Sequence, residues 1–323
     1  MRYLSKYSIG CIAALAVSLP FAAVAQDYPV REISAICLFP PGSGADVQVR
    51  YYAAKLSQLA GKPVVVENRG GAQGNIGVEY VARSKPDGYT VLFGTAATQA
   101  GSKHFFKSLP FDAINDFAPI ASLSRSTFAL VVNAEKGSDS VAKLTDLLKK
   151  GTLKGLYGSN TNTATIAAEL YRDAIGAKMD SVLYRGIGEM VNDLIGGHID
   201  FAFLDAGTAV AQSKAGKVRI LAVTSSARSA SLPDIPTMGE AGYPRVEIMP
   251  WWGVFVPKDT PQPVIDKLAG LFKQITALPE TKAFVAGFSA EAAPGGPAEL
   301  EDMLRKDLVL WGEYTKIAKI EPQ

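Results

Sequence analysis

The sequence predicts an α/β fold of two lobes, on three observations. Short apolar runs alternate with segments of helical period between residues 28 and 124. The alternation resumes at residue 128 and continues to 224, and the chain ends in helical segments suited to packing back on the first lobe. Such alternation builds parallel βαβ units with right-handed crossovers, and ligands then bind beyond the carboxyl ends of the strands. A late chain that returns to the first lobe leaves two segments crossing between the lobes, which is a hinge. The expected bounds are 26–124 with 250–323 for the first lobe and 125–249 for the second.

The 323 residues, 48% hydrophobic and 20% charged, have an ordinary globular composition and enough length for two domains. Residues 1–25 differ in kind. Arg2 and Lys6 precede an uncharged apolar run, and Ala23, Val24 and Ala25 close it in small-x-small form, the pattern of a secretory signal peptide cut after Ala25. The alternative, an uncleaved anchor, needs a longer run with different flanks. Cys11 stands too early in the run to be a lipidation cysteine.

Removing Arg2 and Lys6 takes Lys plus Arg from 33 to 31, equal to the 31 Asp plus Glu. The remaining chain is formally neutral and carries no basic footprint for nucleic acid. Of two cysteines only Cys37 remains, so no internal disulfide forms, and a small buried hydrophobe is its expected role.

Residues 32–38 form a short apolar strand, and 45–59 read as a helix in which Val47, Tyr51, Ala54 and Leu56 fall near helical spacing. The loop between them holds Pro40, Pro41, Gly42, Ser43 and Gly44. Proline fixes the chain's entry and glycine permits close approach, so the unpaired amides of the helix start can face an anion. A strand at 64–67, a helix at 75–83 and a strand at 89–94 follow, which turns the loops 68–74 and 95–99 the same way. The glycines at 71, 74 and 77 miss the dinucleotide fingerprint and lack a Walker lysine, so they read as a turn with a close helix contact.

The second lobe opens with a strand at 128–132 and a helix at 141–149, capped by Ser138 or Ser140 and stopped by Gly151. A strand at 156–158 leads into the polar loop 159–163 and a helix reaching Ile175, which repeats the opening strand, polar loop and helix start. Ser43 and Thr163 are both expected on surface loops. Strands at 182–184, 199–204 and 218–224 and a helix at 189–195 complete this lobe. Asp205 ends a strand at the ligand edge, where it either caps the next helix or meets ligand. Residues 225–250, with four prolines, are an irregular connection. Trp251 and Trp252 open an apolar strand at 251–256, where they either line the cleft or fill the hinge-side core, and the core is the expectation. Helices at 261–277, 281–288 and 297–317 close the chain, with Pro261 and Pro297 near their starts.

Catalytic chemistry has little to stand on. Only His104 and His198 are available as imidazole bases; no nucleophile elbow, paired-histidine zinc motif, cysteine cluster or calcium loop is present. No enzyme activity, cofactor or metal is expected.

The ordered motifs resemble a known family. They include Tyr28 and Pro29, Phe39 to Gly42 with Asp46 and Arg50, Asn68 and Arg69, Gly74 to Gly77, Pro86 to Thr90, Phe93 to Thr95, Asp116 to Pro119 and Tyr157 to Ser159. Later matches are Tyr184 to Gly186, Leu194 to Gly197, Leu221 to Thr224, Leu232 to Thr237, and Trp252 with Gly253. Over nearly all of the chain after the leader, this resembles the extracytoplasmic solute-binding proteins of tripartite tricarboxylate transporters, the Bug or TctC-like proteins.

The resemblance implies a periplasmic-binding-protein-like fold whose two α/β lobes close over a small carboxylate held by backbone amides, hydroxyls and bridging waters. Carried over by position, it implies ligand contacts from Pro41, Gly42, Ser43 and Asp46 in the first loop and Thr95 and Thr98 in the third. Ser159, Asn160, Thr161 and Thr163 lie across the cleft, and Asp205 near an amino or hydroxyl group of the ligand. The implied protein is a periplasmic monomer that hands a small organic di- or tricarboxylate to membrane permease subunits; the alternative is a sensor that presents its ligand to a two-component partner. The sequence departs from the family pattern at 159–165, at Ala97 and Gln99, and at Ala206, all on the ligand-facing edge, so specificity is expected to reside across the cleft from the first loop.

Overall fold

The computed structural model describes residues 28–229 and 231–322; the expected leader, 1–25, lies outside them. The chain runs through β1 (Ile33–Cys37), β2 (Val64–Asn68), β3 (Thr90–Thr95) and β4 (Phe117–Arg125), then through β5 (Phe128–Asn133), β6 (Leu156–Ser159), β7 (Asp180–Leu183), β8 (Phe201–Asp205) and β9 (Val218–Val223). It returns as β10 (Trp251–Pro257) and β11 (Glu291–Gly295). These strands form two sheets, one of six strands in the order β11-β4-β10-β3-β1-β2 and one of five in the order β7-β6-β8-β5-β9.

Parallel pairing holds where strand and helix alternate, between β1 and its neighbours β2 and β3 and between β6 and its neighbours β7 and β8. Both sheets are nevertheless mixed. β10 runs antiparallel between β3 and β4, and β5 antiparallel between β8 and β9. β4 and β11 have no counterpart in the sequence reading. Pro119 and two serines, Ser122 and Ser124, interrupt the pattern of β4, and its pairing with β10 shifts register beside Pro119, where a bulge tolerates the missing amide. β11 is built of Glu, Ala, Pro and Gly, weak strand formers that only tertiary pairing with β4 holds extended.

The helices cover the sheets. α1 (Gly44–Ala60) starts where Ser43 accepts from the Asp46 amide, buries Val49, Tyr52, Ala53 and Leu56, and ends at Gly61 in the left-handed region that glycine favours. α2 (Asn75–Ala82) and the single-turn α3 (Ser102–Phe105) complete the first unit. α4 (Val141–Lys149), α5 (Asn162–Ile175), α6 (Ile187–Gly196) and α7 (Ala206–Lys214) cover the second sheet. α8 (Gln262–Ala277), α9 (Pro279–Gly287) and α10 (Pro297–Ile317) close the chain. The return is not confined to the first sheet: beyond α10, the Ala318 carbonyl accepts from Arg172 of α5 at 3.2 Å, tying the end of the chain to the second lobe.

Two segments join the lobes, residues 126–127 between β4 and β5 and residues 224–250 between β9 and β10. Among the described residues no helix is long and apolar enough to cross a membrane.

Candidate ligand-binding site

A cavity of about 360 Å³ lies between the lobes. The first lobe contributes the loop from Phe39 to Ser43 with Gln48 of α1, and Thr95 and Ala97 at the end of β3. The joining segments contribute Ser126 and Pro250, β10 contributes Trp252, and the second lobe Phe128, Asn160, Thr161, Thr163, Gly186 to Gly188 and Asp205. The cap residues of α1, α5, α6 and α7, namely Ser43, Thr161, Gly186 and Asp205, all line this space. Four helix N-termini therefore meet at one cavity, each bringing unpaired amides and the positive end of a helix dipole. Ser43, Thr161 and Asp205 cap their helices with side chains; α6 starts at Gly186 without one. A Cβ added at Gly186 or Gly188 would meet nothing within 4 Å, so the backbone at this helix start stands open to the cavity.

Eight of the eleven expected site residues line the cavity: Pro41, Gly42, Ser43, Thr95, Asn160, Thr161, Thr163 and Asp205. Asp46, Thr98 and Ser159 do not line it, because their polar atoms are spent on the loops themselves. Asp46 accepts from the Gly42 amide at 2.8 Å, Arg50 Nε at 3.0 Å and Asn68 Nδ2 at 2.7 Å. Burial raises its pKa, but the hydrogen bonds from Arg50, Asn68 and Gly42 outweigh that and hold the carboxyl below its ordinary range. The same Asn68 amide donates to the Phe39 carbonyl, and Ser43 Oγ to the Pro40 carbonyl, so the first loop is braced from both ends. Thr98 Oγ1 accepts from the Thr95 amide at 3.0 Å and fixes the third loop, while the fully buried Ser159 hydroxyl pairs with Thr165 at 2.6 Å and fixes the start of α5.

Other placements differ from expectation. Thr163 is 2% exposed in the first turn of α5, not on a surface loop, because that helix begins at Asn162 and leaves a shorter loop. The tryptophan pair is split by strand alternation: Trp252 faces the cavity and donates to Ser126 Oγ at 3.1 Å, while Trp251 turns to the opposite side. The glycine-rich turn at 71–77 packs against Leu38, Thr98 and Arg69 and is absent from the cavity wall. His104 Nε2 bonds the Leu308 carbonyl on α10, and His198 is exposed in its turn, so neither reaches the cavity.

Among the described residues, Asp205 is the one ionisable side chain on the wall. Its Oδ1 accepts from the Thr208 amide at 2.9 Å as the cap of α7 and would lie 3.0 Å from a Cβ built on Gly44, so the two lobes touch here. Burial in the cleft pushes its carboxyl above the ordinary range despite the Thr208 hydrogen bonds. Capping and facing the ligand space are thus both roles of one side chain. Gly186 to Gly188, Gln48 and Ser126 were not singled out from sequence as cavity residues, and Trp252 lines the cavity where the core was the preferred expectation. The rule that selected the first loop, a helix start after a strand end, applies equally to Gly186.

The family model of the tripartite tricarboxylate transporter family receptor matches residues 48–316. Protein BugT of Bordetella pertussis is 33% identical over 285 residues, covering 87% of this chain and 86% of BugT. Among solved structures, Rpa4515 of R. palustris with adipate superposes with a TM-score of 0.88 at 28% identity, covering 92% of this chain and all of that one. The periplasmic binding protein BugD superposes with a TM-score of 0.86 at 29% identity, again over 92% of this chain and all of BugD. Match, fold and cavity agree: the chain belongs to the tripartite tricarboxylate transporter receptor family, the Bug or TctC group of solute-binding proteins.

Proposed function

We propose that this protein is a periplasmic receptor that captures a small organic acid between its lobes and delivers it to a tripartite tricarboxylate-type membrane transporter. The observation that carries the reading is a cavity where four helix N-termini converge and, among the described residues, no Lys, Arg or His lines the wall. Aligned amides bind carboxylate without a cationic side chain, and each helix end contributes about 0.3–1 kcal/mol or more when desolvated. The uncapped start of α6 at Gly186 to Gly188 is the natural seat for one carboxylate, and the first loop, held open by Asp46, for another. Adipate in the related Rpa4515 supports a dicarboxylate of this size.

Asp205 refines the ligand class. A carboxylate on the wall repels an acid unless the acid presents a donor to it, so the favoured ligand carries a hydroxyl or ammonium group near Asp205. Lobe closure couples to capture, since a ligand held by both walls favours the arrangement in which Gly44 and Asp205 lie side by side. No step of this cycle uses a catalytic residue, and the predicted leader and family membership support placement in the periplasm.

Mass spectrometry of small molecules released from the purified protein, followed by a thermal-shift panel of mono-, di- and tricarboxylates with and without hydroxyl or amino groups, tests the reading. At a hundredfold excess over Kd a true ligand stabilises by about 2.7 kcal/mol. Stabilisation by neutral or purely cationic solutes alone overturns it.

A further inference from the structure

The cleft between the lobes has an aromatic side that carboxylate binding alone leaves unused. The Ser126 amide donates to the Pro250 carbonyl at 2.9 Å, which holds the two joining segments side by side. Just beyond this bond, where each segment enters its sheet, stand Phe128 of β5 and Trp252 of β10, and both line the cavity. Phe39, from the first loop, tilts against Trp252 with ring centroids 5.8 Å apart. Phe39 and Trp252 thus border the ligand space from the first lobe and Phe128 from the second.

The polar neighbours of these rings differ between the lobes. Strand register sets Trp252 directly opposite Thr95 and Phe128 directly opposite Asp205. Such cross-strand neighbours stand about 4.5–5.5 Å apart at Cβ, on one face of the sheet. On the first lobe the polar atoms are already used: the Trp252 indole N–H donates to Ser126 Oγ at 3.1 Å, and Thr95 Oγ1 accepts from the Thr98 amide at 3.3 Å. Trp252 therefore offers a ligand its ring and no donor. On the second lobe the Asp205 carboxylate accepts from the Thr208 amide at 2.9 Å, and the Thr208 hydroxyl acts on it as well. A carboxylate has about four acceptor sites, so capacity remains for a ligand donor beside the Phe128 ring.

Any apolar wall accepts the methylenes of a straight-chain acid. Aromatic walls favour a flat ring further, because ring pairs add offset and edge-to-face attraction beyond the area they bury. A ring hydroxyl also stays protonated near neutral pH, where a phenol remains a donor, and so suits an acceptor such as Asp205.

We propose that the ligand is an aromatic acid, a refinement that rests on the receptor function proposed above. The ring lies among Phe39, Trp252 and Phe128, its hydroxyl or amino substituent donates to Asp205, and its carboxylate takes the helix-end amides. A hydroxybenzoate has this chemistry.

Isothermal titration of the leaderless protein, freed of bound small molecules, tests the assignment near neutral pH. The probes are 3- and 4-hydroxybenzoate, benzoate, the saturated-ring acid 4-hydroxycyclohexanecarboxylate, adipate and 4-hydroxybenzamide. Saturable binding is expected for a hydroxybenzoate, binding about tenfold weaker for benzoate and for the saturated-ring acid, and none for the amide. Phe128→Leu keeps an apolar side chain and removes the ring; it should weaken the hydroxybenzoate about tenfold and leave the saturated-ring acid unchanged. The comparison of ring acids in the parent protein stands even if that variant folds poorly. The proposal is overturned if no hydroxybenzoate binds saturably at millimolar concentrations, or if the saturated-ring acid binds as tightly as the aromatic one. Binding of adipate or the saturated-ring acid in those cases leaves the carboxylate receptor intact and removes only the aromatic assignment. Binding of 4-hydroxybenzamide as tight as that of the acid overturns both.

Discussion

Replacing Asp46 with alanine removes one acceptor from three donors, the Gly42 amide, Arg50 and Asn68. The Asp46 side chain is 4% exposed while that of Arg50 is 51% exposed, so the ion pair is screened on its Arg50 side and counts for little. The bonds from Gly42 and Asn68 are charge-assisted and largely desolvated, each contributing about 1.5 kcal/mol, so the substitution should cost about 3 kcal/mol. For a chain of this size that lowers Tm by about 6 °C. The pH dependence has a definite sign. The folded pKa is depressed below the unfolded value of about 3.9, so the contribution is complete above that value and is lost as pH falls through the folded pKa. Urea denaturation of both proteins across a pH series should show a constant stability gap near neutrality that closes in acid. Equal stabilities at neutral pH, or a gap that widens on acidification, would refute the bracing role. Ligand affinity should fall in the same variant, because the Gly42 amide is no longer aimed.

Further outcomes follow from the cavity wall. Gly188→Leu places a side chain in open space at an ordinary backbone conformation, so it should abolish ligand binding in calorimetry without lowering the ligand-free Tm. Gly44→Val thrusts a side chain at Asp205 and Thr208 across the cleft; overpacking of about 1–3 kcal/mol in the closed form should weaken affinity about tenfold or more, while urea midpoints of the ligand-free protein stay unchanged. Asp205→Asn should shift preference away from hydroxy or amino acids toward plain dicarboxylates by about tenfold, measured as a ratio of Kd values, and an unchanged ratio would remove Asp205 from recognition. Because burial raises the Asp205 pKa, its charged form is disfavoured in the fold above that pKa; the asparagine variant should therefore equal or exceed the parent's stability at neutral pH, lose that advantage in acid, and fail the account if it unfolds more easily at neutral pH.

The strand-loop-helix units were legible in the sequence because their strands are apolar and parallel and their helices start at hydrogen-bonding caps. Ser43, Thr161 and Asp205 were found this way, since a cap and a ligand-facing residue occupy the same position. β4 and β11 were not legible, because their extended conformation is imposed by β10 and by each other and not by their own residues. The start of α6 escaped notice because Gly186 has no side chain to signal a cap, although its bare amides are what make it receptive. Asp46, Thr98 and Ser159 stand near the site in sequence and serve it indirectly: spacing identifies the loop a residue belongs to, and only packing decides whether its polar atoms face the ligand or the backbone.

The central claim is that desolvated helix-end amides, with no cationic side chain, select a carboxylate. The measurement that tests it most directly is calorimetric titration of the acid released from the purified protein against its uncharged amide, which matches it in shape. The account predicts tight binding of the acid and none of the amide, because the amide brings N–H groups to a wall of N–H donors. Equal affinity for the two would contradict it.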